Sequence, residues 1–269
     1  MGSCAIILSA VLVGGTRHAK RRVPSSWVHP ALATFRAMAQ PDHLDATRTS
    51  YDAVAELYAS LFADSLASRP LDRALLTAFA ELTRAAPAGP VADLGCGPGH
   101  VTAFLDTLGL DVFGVDLSPA MINIARRDHP HLRFDVMTMT RLGLADGALA
   151  GIVAWYSLIH TPPAELPATL AEIHRLLAPG GQLLLAFQST DRPDGPPEQF
   201  DHKVTTAYRW PADTAAALLR DAGLAETARL IRPPGDDERF PPAFLFLCRP
   251  LPSERPPGGD YRNPAQADL

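Results

Sequence analysis

The sequence has few cysteines, and none of them stands in a paired arrangement. Its 3 cysteines, Cys4, Cys96 and Cys248, lie far apart in the chain. Without a Cys-x-x-Cys pair, neither a disulfide framework nor a cysteine zinc site is expected. His129 and His131 also lack a third ligand at metal-binding spacing, so we expect no metal. The composition indicates a reduced, cytoplasmic setting.

The chain also lacks an excess of positive charge. It carries 24 Lys and Arg against 29 Asp and Glu, which gives a formal net charge of −5. Proteins that bind nucleic acid through its phosphates normally carry a basic surplus. We therefore expect no nucleic-acid partner.

Long apolar runs are missing as well. The apolar stretch Cys4–Val13 spans about ten residues, whereas a transmembrane helix needs about 20. The basic residues Arg17–Arg22 follow this stretch, whereas a secretory signal carries its charges first. We interpret residues 1–48 as a loosely ordered N-terminal extension and Met38 as a candidate start of the protein. A membrane anchor is the alternative. Pro, Gly and charge predict a disordered tail at 251–269.

Between these ends, helix-like and strand-like segments alternate. An apolar stripe with three- and four-residue steps predicts a helix from Thr49, and a second helix is expected at 71–84. Five short apolar segments then predict strands, most of them followed by a helical pattern. They are Val91–Leu94, Asp111–Val115, Leu132–Val136, Leu149–Trp155 and Gln182–Phe187. This alternation is typical of a parallel sheet covered on both faces.

The alternation ends after the fifth predicted strand. A Pro-rich loop leads to an extended piece at 202–208 and a helix at 211–222. Two further segments, 226–231 and 243–248, flank a Pro-Pro-Gly turn and predict a hairpin. We therefore expect a Rossmann-like, doubly wound α/β domain at 49–250, with a mostly parallel seven-stranded sheet that ends in an antiparallel strand.

A glycine-rich turn joins the first predicted strand to the helix that follows it. It reads Gly95-Cys96-Gly97-Pro98-Gly99, at the place where a doubly wound sheet meets a nucleotide-type ligand. Glycines let the backbone approach a ligand closely and adopt positive φ. Asp116 ends the next strand, where a ribose would need an acid. The alternative for the glycines is a turn that is tight for packing alone. The alternative for Asp116 is an acid that stabilises a helix N-terminus.

Three segments resemble the motifs of class I S-adenosylmethionine-dependent methyltransferases, both in sequence and in spacing. They are Val91–Gly99, Gly114–Met121 and Leu176–Gly181. The likeness is strongest to small-molecule enzymes of the methyltransferase type 11 or 25 kind. The resemblance implies S-adenosylmethionine as cofactor, transfer of its methyl group by in-line displacement, and a small-molecule acceptor.

The same resemblance implies which residues surround the amino-acid and ribose parts of the cofactor. Asp93, Gly95 and Gly97 would lie around the amino-acid part. Asp116 would accept hydrogen bonds from the two ribose hydroxyls. Tyr51 lies on the helix before the first strand, which in similar enzymes folds over the cofactor as a lid. Simple packing of an apolar helix face is the alternative for Tyr51.

The adenine contacts are also implied by the resemblance. Leu117 and Met121 would border the ring. Thr138 and Met139 follow the third strand, where many relatives carry Gly-Asp. We expect them to contact the adenine, although this chain lacks the carboxylate.

The candidate catalytic residues follow from the chemistry of methyl transfer. An oxygen acceptor often needs a base, and histidine suits that role near neutral pH. In similar enzymes the end of the fourth strand faces the reacting methyl group, which favours Tyr156 and His160. His202, after the Pro-rich loop, is the second candidate base. Local packing, helix capping or plain solvation are the alternatives for these three residues.

Two other functions share part of this pattern. A nicotinamide-dependent oxidoreductase would have a similar sheet, but the third glycine of its Gly-x-Gly-x-x-Gly fingerprint would fall at His100. A noncatalytic subunit that binds S-adenosylmethionine would keep the turn and yield no product. The expected pocket residues Trp155, Tyr156 and Phe187 indicate an aromatic or apolar acceptor. The sequence is also compatible with a homodimer.

Overall fold

The protein is described by a computed structural model that covers residues 42–252. The expectations for residues 1–41 and 253–269 lie outside the described residues. In the described part, no helix combines the length and apolar composition needed to cross a membrane.

The first helix, α1, begins earlier than its apolar stripe predicts. It runs over Asp42–Phe62, so the prediction of a loose extension is wrong for residues 42–48. No Gly or Pro interrupts this segment. Arg48 pairs with Asp45 at 3.0 Å, one turn apart on the same helix face, which supports its first turns.

Seven strands form one twisted sheet in the order β3-β2-β1-β4-β5-β9-β8. Strands β1 to β5 pair in parallel, whereas β9 is antiparallel to both β5 and β8. The predicted hairpin is confirmed, and its second strand lies inside the sheet with β8 at the edge. The strands are β1 Val91–Leu94, β2 Val112–Asp116, β3 Arg133–Val136, β4 Leu149–Trp155, β5 Leu177–Gln188, β8 Ala225–Ile231 and β9 Pro242–Cys248.

Helices cover both faces of this sheet, as its buried strands require. Apolar side chains of α3 and α4 pack on one face, and those of α6 and α7 pack on the other. A smaller cluster joins α5 to Phe134 of β3. The remaining helices are α2 Ser65–Ser68, α3 Pro70–Ala85, α4 His100–Thr107, α5 Pro119–Asp128, α6 Leu166–Leu176 and α7 Ala212–Asp221.

The extended piece predicted at 202–208 is instead the turn and second strand of a small hairpin. Strand β6 (Glu198–Asp201) pairs with β7 (Thr206–Arg209) in antiparallel fashion. The prediction is wrong because the chain reverses between the two strands. The Asp201 side chain accepts a hydrogen bond from the backbone N–H of Lys203 at 3.0 Å, a local bond that favours turns.

The strand order places three loops side by side. Strand β1 lies between β2 and β4, and the chain proceeds in opposite directions across the sheet from there. Open α/β sheets bind ligands at such a switch point, beyond the carboxyl ends of the strands. Here those ends carry the glycine-rich turn, Asp116 and the segment after Trp155.

Candidate functional site

Gly95 and Gly97 shape the turn after β1. Their φ angles are +71° and +53°, in the left-handed region that favours glycine. A Cβ on Gly95 would lie 2.3 Å from Ser157 Cβ, so no larger residue fits there. A Cβ on Gly97 would meet nothing closer than Tyr58 Cε1 at 4.0 Å. The turn therefore presents bare backbone to open space at Gly97.

Asp116 is locked in place by the turn next to it. Its Oδ2 accepts from the Gly97 N–H at 2.8 Å, and its Oδ1 accepts from the Ser118 N–H at 2.8 Å. Burial raises the pKa of Asp116, and these backbone hydrogen bonds oppose the rise. Each carboxylate oxygen keeps a further lone pair. The group can therefore accept two hydroxyl hydrogen bonds, as a ribose would supply.

A cavity lies between this turn, helix α1 and the loops after β2, β3 and β4; we call it the first cavity. Most of the residues predicted for the cofactor and the chemistry line it. These are Tyr51, Gly95, Gly97, Asp116, Leu117, Met121, Thr138, Met139, Tyr156 and His160. The two remaining predicted residues, Asp93 and His202, line an adjoining cavity.

Helix α1 forms one wall of the first cavity. Its Tyr51 and Tyr58 rings meet edge to face at 5.7 Å between centroids. Asp52 accepts hydrogen bonds from the Ser118 hydroxyl and, at 3.1 Å, from the Ala120 N–H. These contacts fasten the helix to the N-terminus of α5.

His160 has a defined tautomer. Its Nδ1 lies 2.8 Å from the carbonyl oxygen of Thr206, and a carbonyl can only accept, so Nδ1 carries the proton. Nε2 is then free to accept from the Tyr51 hydroxyl at 2.7 Å. Burial lowers the pKa of His160 to about 4, so the ring is neutral near pH 7.

His202 lies beside His160, although the two are far apart in sequence. Their ring centroids are 4.9 Å apart and the rings are perpendicular. The Nδ1 atom of His202 is buried and has no hydrogen-bond partner within residues 42–252. Burial lowers the pKa of His202, so it is a neutral base near pH 7.

The adjoining cavity, called the second cavity, holds about 280 Å³. That volume is close to the lower end of small-molecule sites, about 300–1,000 Å³. The two cavities adjoin, because five residues line both of them: Tyr58, Gly95, Gly97, Trp155 and Tyr156. The aromatic side chains around it are Tyr58, Phe62, Trp155, Tyr156, Phe200 and Phe240.

Tyr156 stands at the junction of the two cavities in a strained conformation. Its φ is +55°, which is uncommon for a bulky residue and concentrates at functional sites. Burial raises the pKa of Tyr156 and also that of Tyr58, the latter to about 12. Both phenols are therefore protonated near pH 7.

Phe187 does not take the place predicted for it. Its side chain is 2% exposed and packs in the core with Trp210 and neighbouring leucines. Successive strand residues point to opposite faces, so it is Gln188, the next residue of β5, that reaches the second cavity.

The two carboxylate oxygens of Asp93 differ in their hydrogen bonding. Thr102 donates to its Oδ2 at 2.6 Å, whereas Oδ1 is buried and finds no partner in the part of the chain that the structure describes. Burial raises the pKa of Asp93 to about 7. An ammonium group at this oxygen would satisfy it and favour the charged carboxylate.

The site also contains residues that the sequence patterns did not indicate. Ser157 packs against Gly95 with its hydroxyl oxygen buried and unpartnered. His43 and Thr47, on the first turns of α1, line the first cavity. Within the described residues, no group of three His, Cys, Asp or Glu side chains is placed to hold a metal ion.

Burial of neutral His160 predicts a pH-dependent stability. Because its pKa in the folded protein is about 4, below the ordinary 6.5, its contribution is complete above about pH 6.5. That contribution is lost as pH falls from 6.5 towards 4, and the full loss is on the order of 3 kcal/mol. We expect His160→Gln to reduce the fall of Tm between pH 7 and pH 5. Equal slopes for His160→Gln and the unaltered protein would contradict the assignment.

The fold and the site together define a class. A doubly wound sheet carries a glycine-rich turn after β1 and an acid after β2, which is the arrangement of an adenosine-binding Rossmann-like protein. Residues 91–181 match the family model described as "Methyltransferase domain". The matched segment runs from β1 into β5 and includes the glycine-rich turn and Asp116.

Two curated relatives match over part of their length. Trans-aconitate 2-methyltransferase of Methylobacterium radiotolerans is 33% identical over 156 residues, which are 56% of this chain and 55% of the relative. Malonyl-[acyl-carrier protein] O-methyltransferase of Serratia marcescens is 30% identical over 100 residues, 37% and 38% of the two chains. The chain thus spans roughly two fifths to just over half of these relatives.

A solved structure shares the fold over most of the chain. It is 1,6-didemethyltoxoflavin-N1-methyltransferase of Burkholderia thailandensis, with bound 1,6-didemethyltoxoflavin and S-adenosylhomocysteine. The TM-score is 0.62 at 23% identity, with 80% of this chain and 92% of that chain covered. At this identity the likeness shows the fold.

Proposed function

We propose that this protein transfers the methyl group of S-adenosylmethionine to a small aromatic acceptor. The observation that carries the proposal is that the two cavities adjoin at shared residues. The first has an acid suited to a ribose, the second has aromatic walls, and they share Gly97, Trp155 and Tyr156. A methyl donor and an acceptor bound on the two sides would face each other there, as displacement requires.

The chain's own groups suit the proposed cofactor. Asp116 would accept hydrogen bonds from both ribose hydroxyls. The amino-acid end of the cofactor would reach past Gly95 and Gly97 into the near side of the second cavity, where the unpartnered oxygen of Asp93 would meet its ammonium group. Leu117, Met121, Thr138 and Met139 would enclose the adenine. The cofactor supplies an electrophilic methyl group on a good leaving group, so the protein mainly aligns the acceptor and excludes water.

The proposed proton acceptor is His202. It lines the second cavity, and burial keeps it neutral by lowering its pKa. His160 is already engaged by Tyr51 and Thr206, so it serves to hold the Tyr51 hydroxyl beside the first cavity. Tyr156, between the cavities, would contact the acceptor ring.

We also propose that the acceptor is a small molecule and that the protein works in the cytoplasm. The formal net charge of −5 and the limited volume of the second cavity support a small molecule over a nucleic acid. The scattered cysteines support the reducing compartment: Cys96 and Cys248 are both free.

Gly97 offers a matched test of the cofactor side. Gly97→Ala and Gly109→Ala each place a side chain at positive φ, +53° at Gly97 and +85° at Gly109, and each should cost about 1 kcal/mol of folding stability. A Cβ on Gly109 meets nothing within 4 Å, so it measures strain alone. We expect only Gly97→Ala to weaken S-adenosylhomocysteine binding, by about tenfold, through crowding of the cavity. Calorimetric titration of both variants with S-adenosylhomocysteine measures this difference. Equal affinities would contradict the placement of the cofactor beside Gly97.

The proposal is tested by incubating the protein with methyl-labelled S-adenosylmethionine and a panel of phenols, indoles and aromatic amines. Transfer of label to at least one of these acceptors is the expected result. Tight S-adenosylhomocysteine binding without transfer to any acceptor would favour the noncatalytic subunit instead.

A further inference from the structure

A buried carboxylate in the second cavity takes no part in the proposed transfer. Asp72, in the first turn of α3, lines this cavity. The residue is only 2% exposed, and its Oδ1 has no hydrogen-bond partner among the described residues. A buried charge is costly unless it is paired, so Asp72 is poised for a partner that the chain itself does not supply.

The cations around the second cavity are already engaged. Arg69 pairs with Asp237 at 2.6 Å, and Arg232, nearby, donates to Glu238 at 2.7 Å. Each of these ion pairs lies close to Asp72 yet leaves its Oδ1 unpartnered.

Arg239 and Lys203, which also line the second cavity, have contacts of their own. Arg239 donates to the carbonyl oxygen of Asp201 at 2.7 Å and lies over the Phe240 ring at 5.0 Å. Lys203 pairs with the Asp201 carboxylate. Arg69, Arg232 and Lys203 already have acidic partners, whereas a cationic ligand would find an open carboxylate at Asp72.

Gln188 adds a second unpartnered oxygen. Its Oε1 is buried at the end of β5, in the lining of the same cavity. Rotation of the amide would present its NH₂ group instead, because the two orientations have the same shape. Asp72, which has no such ambiguity when ionised, therefore decides the charge preference.

We propose that Asp72 selects an acceptor that carries a protonated amine on a small aromatic framework. The aromatic walls hold the ring, and the ammonium group donates to Asp72 Oδ1. The inference rests on the proposed function for its assignment of the second cavity to the acceptor. It excludes carboxylate acceptors, because a second anion beside Asp72 would be repelled.

The test uses ring-matched ligands of opposite charge, tryptamine against indole-3-acetate and tyramine against 4-hydroxyphenylacetate. Each is titrated calorimetrically into the protein saturated with S-adenosylhomocysteine. At least one amine should bind tenfold or more tightly than its matched acid. Asp72→Asn, which keeps the shape and removes the charge, should abolish that preference, whereas Asp221→Asn at an exposed position should retain it.

Three results would overturn the inference: none of the amines binds, the acids bind as tightly as the amines, or Asp72→Asn keeps the preference. The first two need only the unaltered protein, so a folding defect in the variant leaves the test intact. Binding of S-adenosylhomocysteine is measured on the same samples. Its absence would refute the proposed function, whereas its presence with no charge preference would refute the role of Asp72 alone.

Discussion

Replacing Asp116 with alanine is expected to weaken S-adenosylhomocysteine binding by about 100-fold or more. Hydrogen bonds to a charged group are each worth about 1.5–3 kcal/mol, and two are proposed to the ribose. Every 1.4 kcal/mol changes affinity about tenfold. The substitution also frees the Gly97 and Ser118 N–H groups that Asp116 now binds, so the turn itself loses its support. Isothermal titration measures the loss.

Asp111 provides the matched control for Asp116. It precedes the opposite end of β2, and its backbone carbonyl accepts from the Val91 N–H at 2.8 Å. Asp111→Ala removes a carboxylate and leaves that bond intact, so affinity should stay within twofold of the unaltered protein. Unchanged affinity in Asp116→Ala would show that the ribose lies elsewhere.

Replacing His202 with alanine is expected to lower kcat about 100-fold for a hydroxyl acceptor. General-base catalysis typically contributes about 10²–10⁴, and the lower end suits a reaction with a good leaving group. A free amine attacks through its lone pair before it loses a proton. Turnover of an amine acceptor by the same variant should therefore fall less than about threefold, because the base is needed only for hydroxyl activation.

The difference between the two acceptors separates catalysis from packing. His202 contacts His160 and Phe200 through its ring, and a purely structural role would slow both acceptors alike. His131→Ala, at an exposed position, should leave both rates unchanged. Equal losses for hydroxyl and amine acceptors in His202→Ala would rule out the base.

Much of the fold was predictable because its signals are local. Short apolar segments separated by helical patterns gave the five parallel strands, and the Pro-Pro-Gly turn gave the hairpin of β8 and β9. That the residues predicted for the cofactor lie close together was predictable for a related reason. The ends of neighbouring parallel strands meet at one edge, so Gly97 and Asp116 come together although 19 positions separate them.

The rest depends on contacts that no local pattern encodes. The hydrogen bond between Tyr51 and His160 joins residues 109 positions apart. The reversal between β6 and β7 has a local hydrogen bond to the Asp201 side chain, within a polar loop that has no periodicity. Asp72 has the pattern of an ordinary acid in the first turn of a helix, and only the tertiary structure shows that it is buried in a cavity.

The central claim is that the cleft beyond β1, β2 and β4 binds S-adenosylmethionine. Isothermal titration of the unaltered protein with S-adenosylhomocysteine, and in parallel with NAD, tests it most directly. We expect one S-adenosylhomocysteine to bind per chain and no measurable heat with NAD. Binding of NAD without S-adenosylhomocysteine, or binding of neither, would contradict the account.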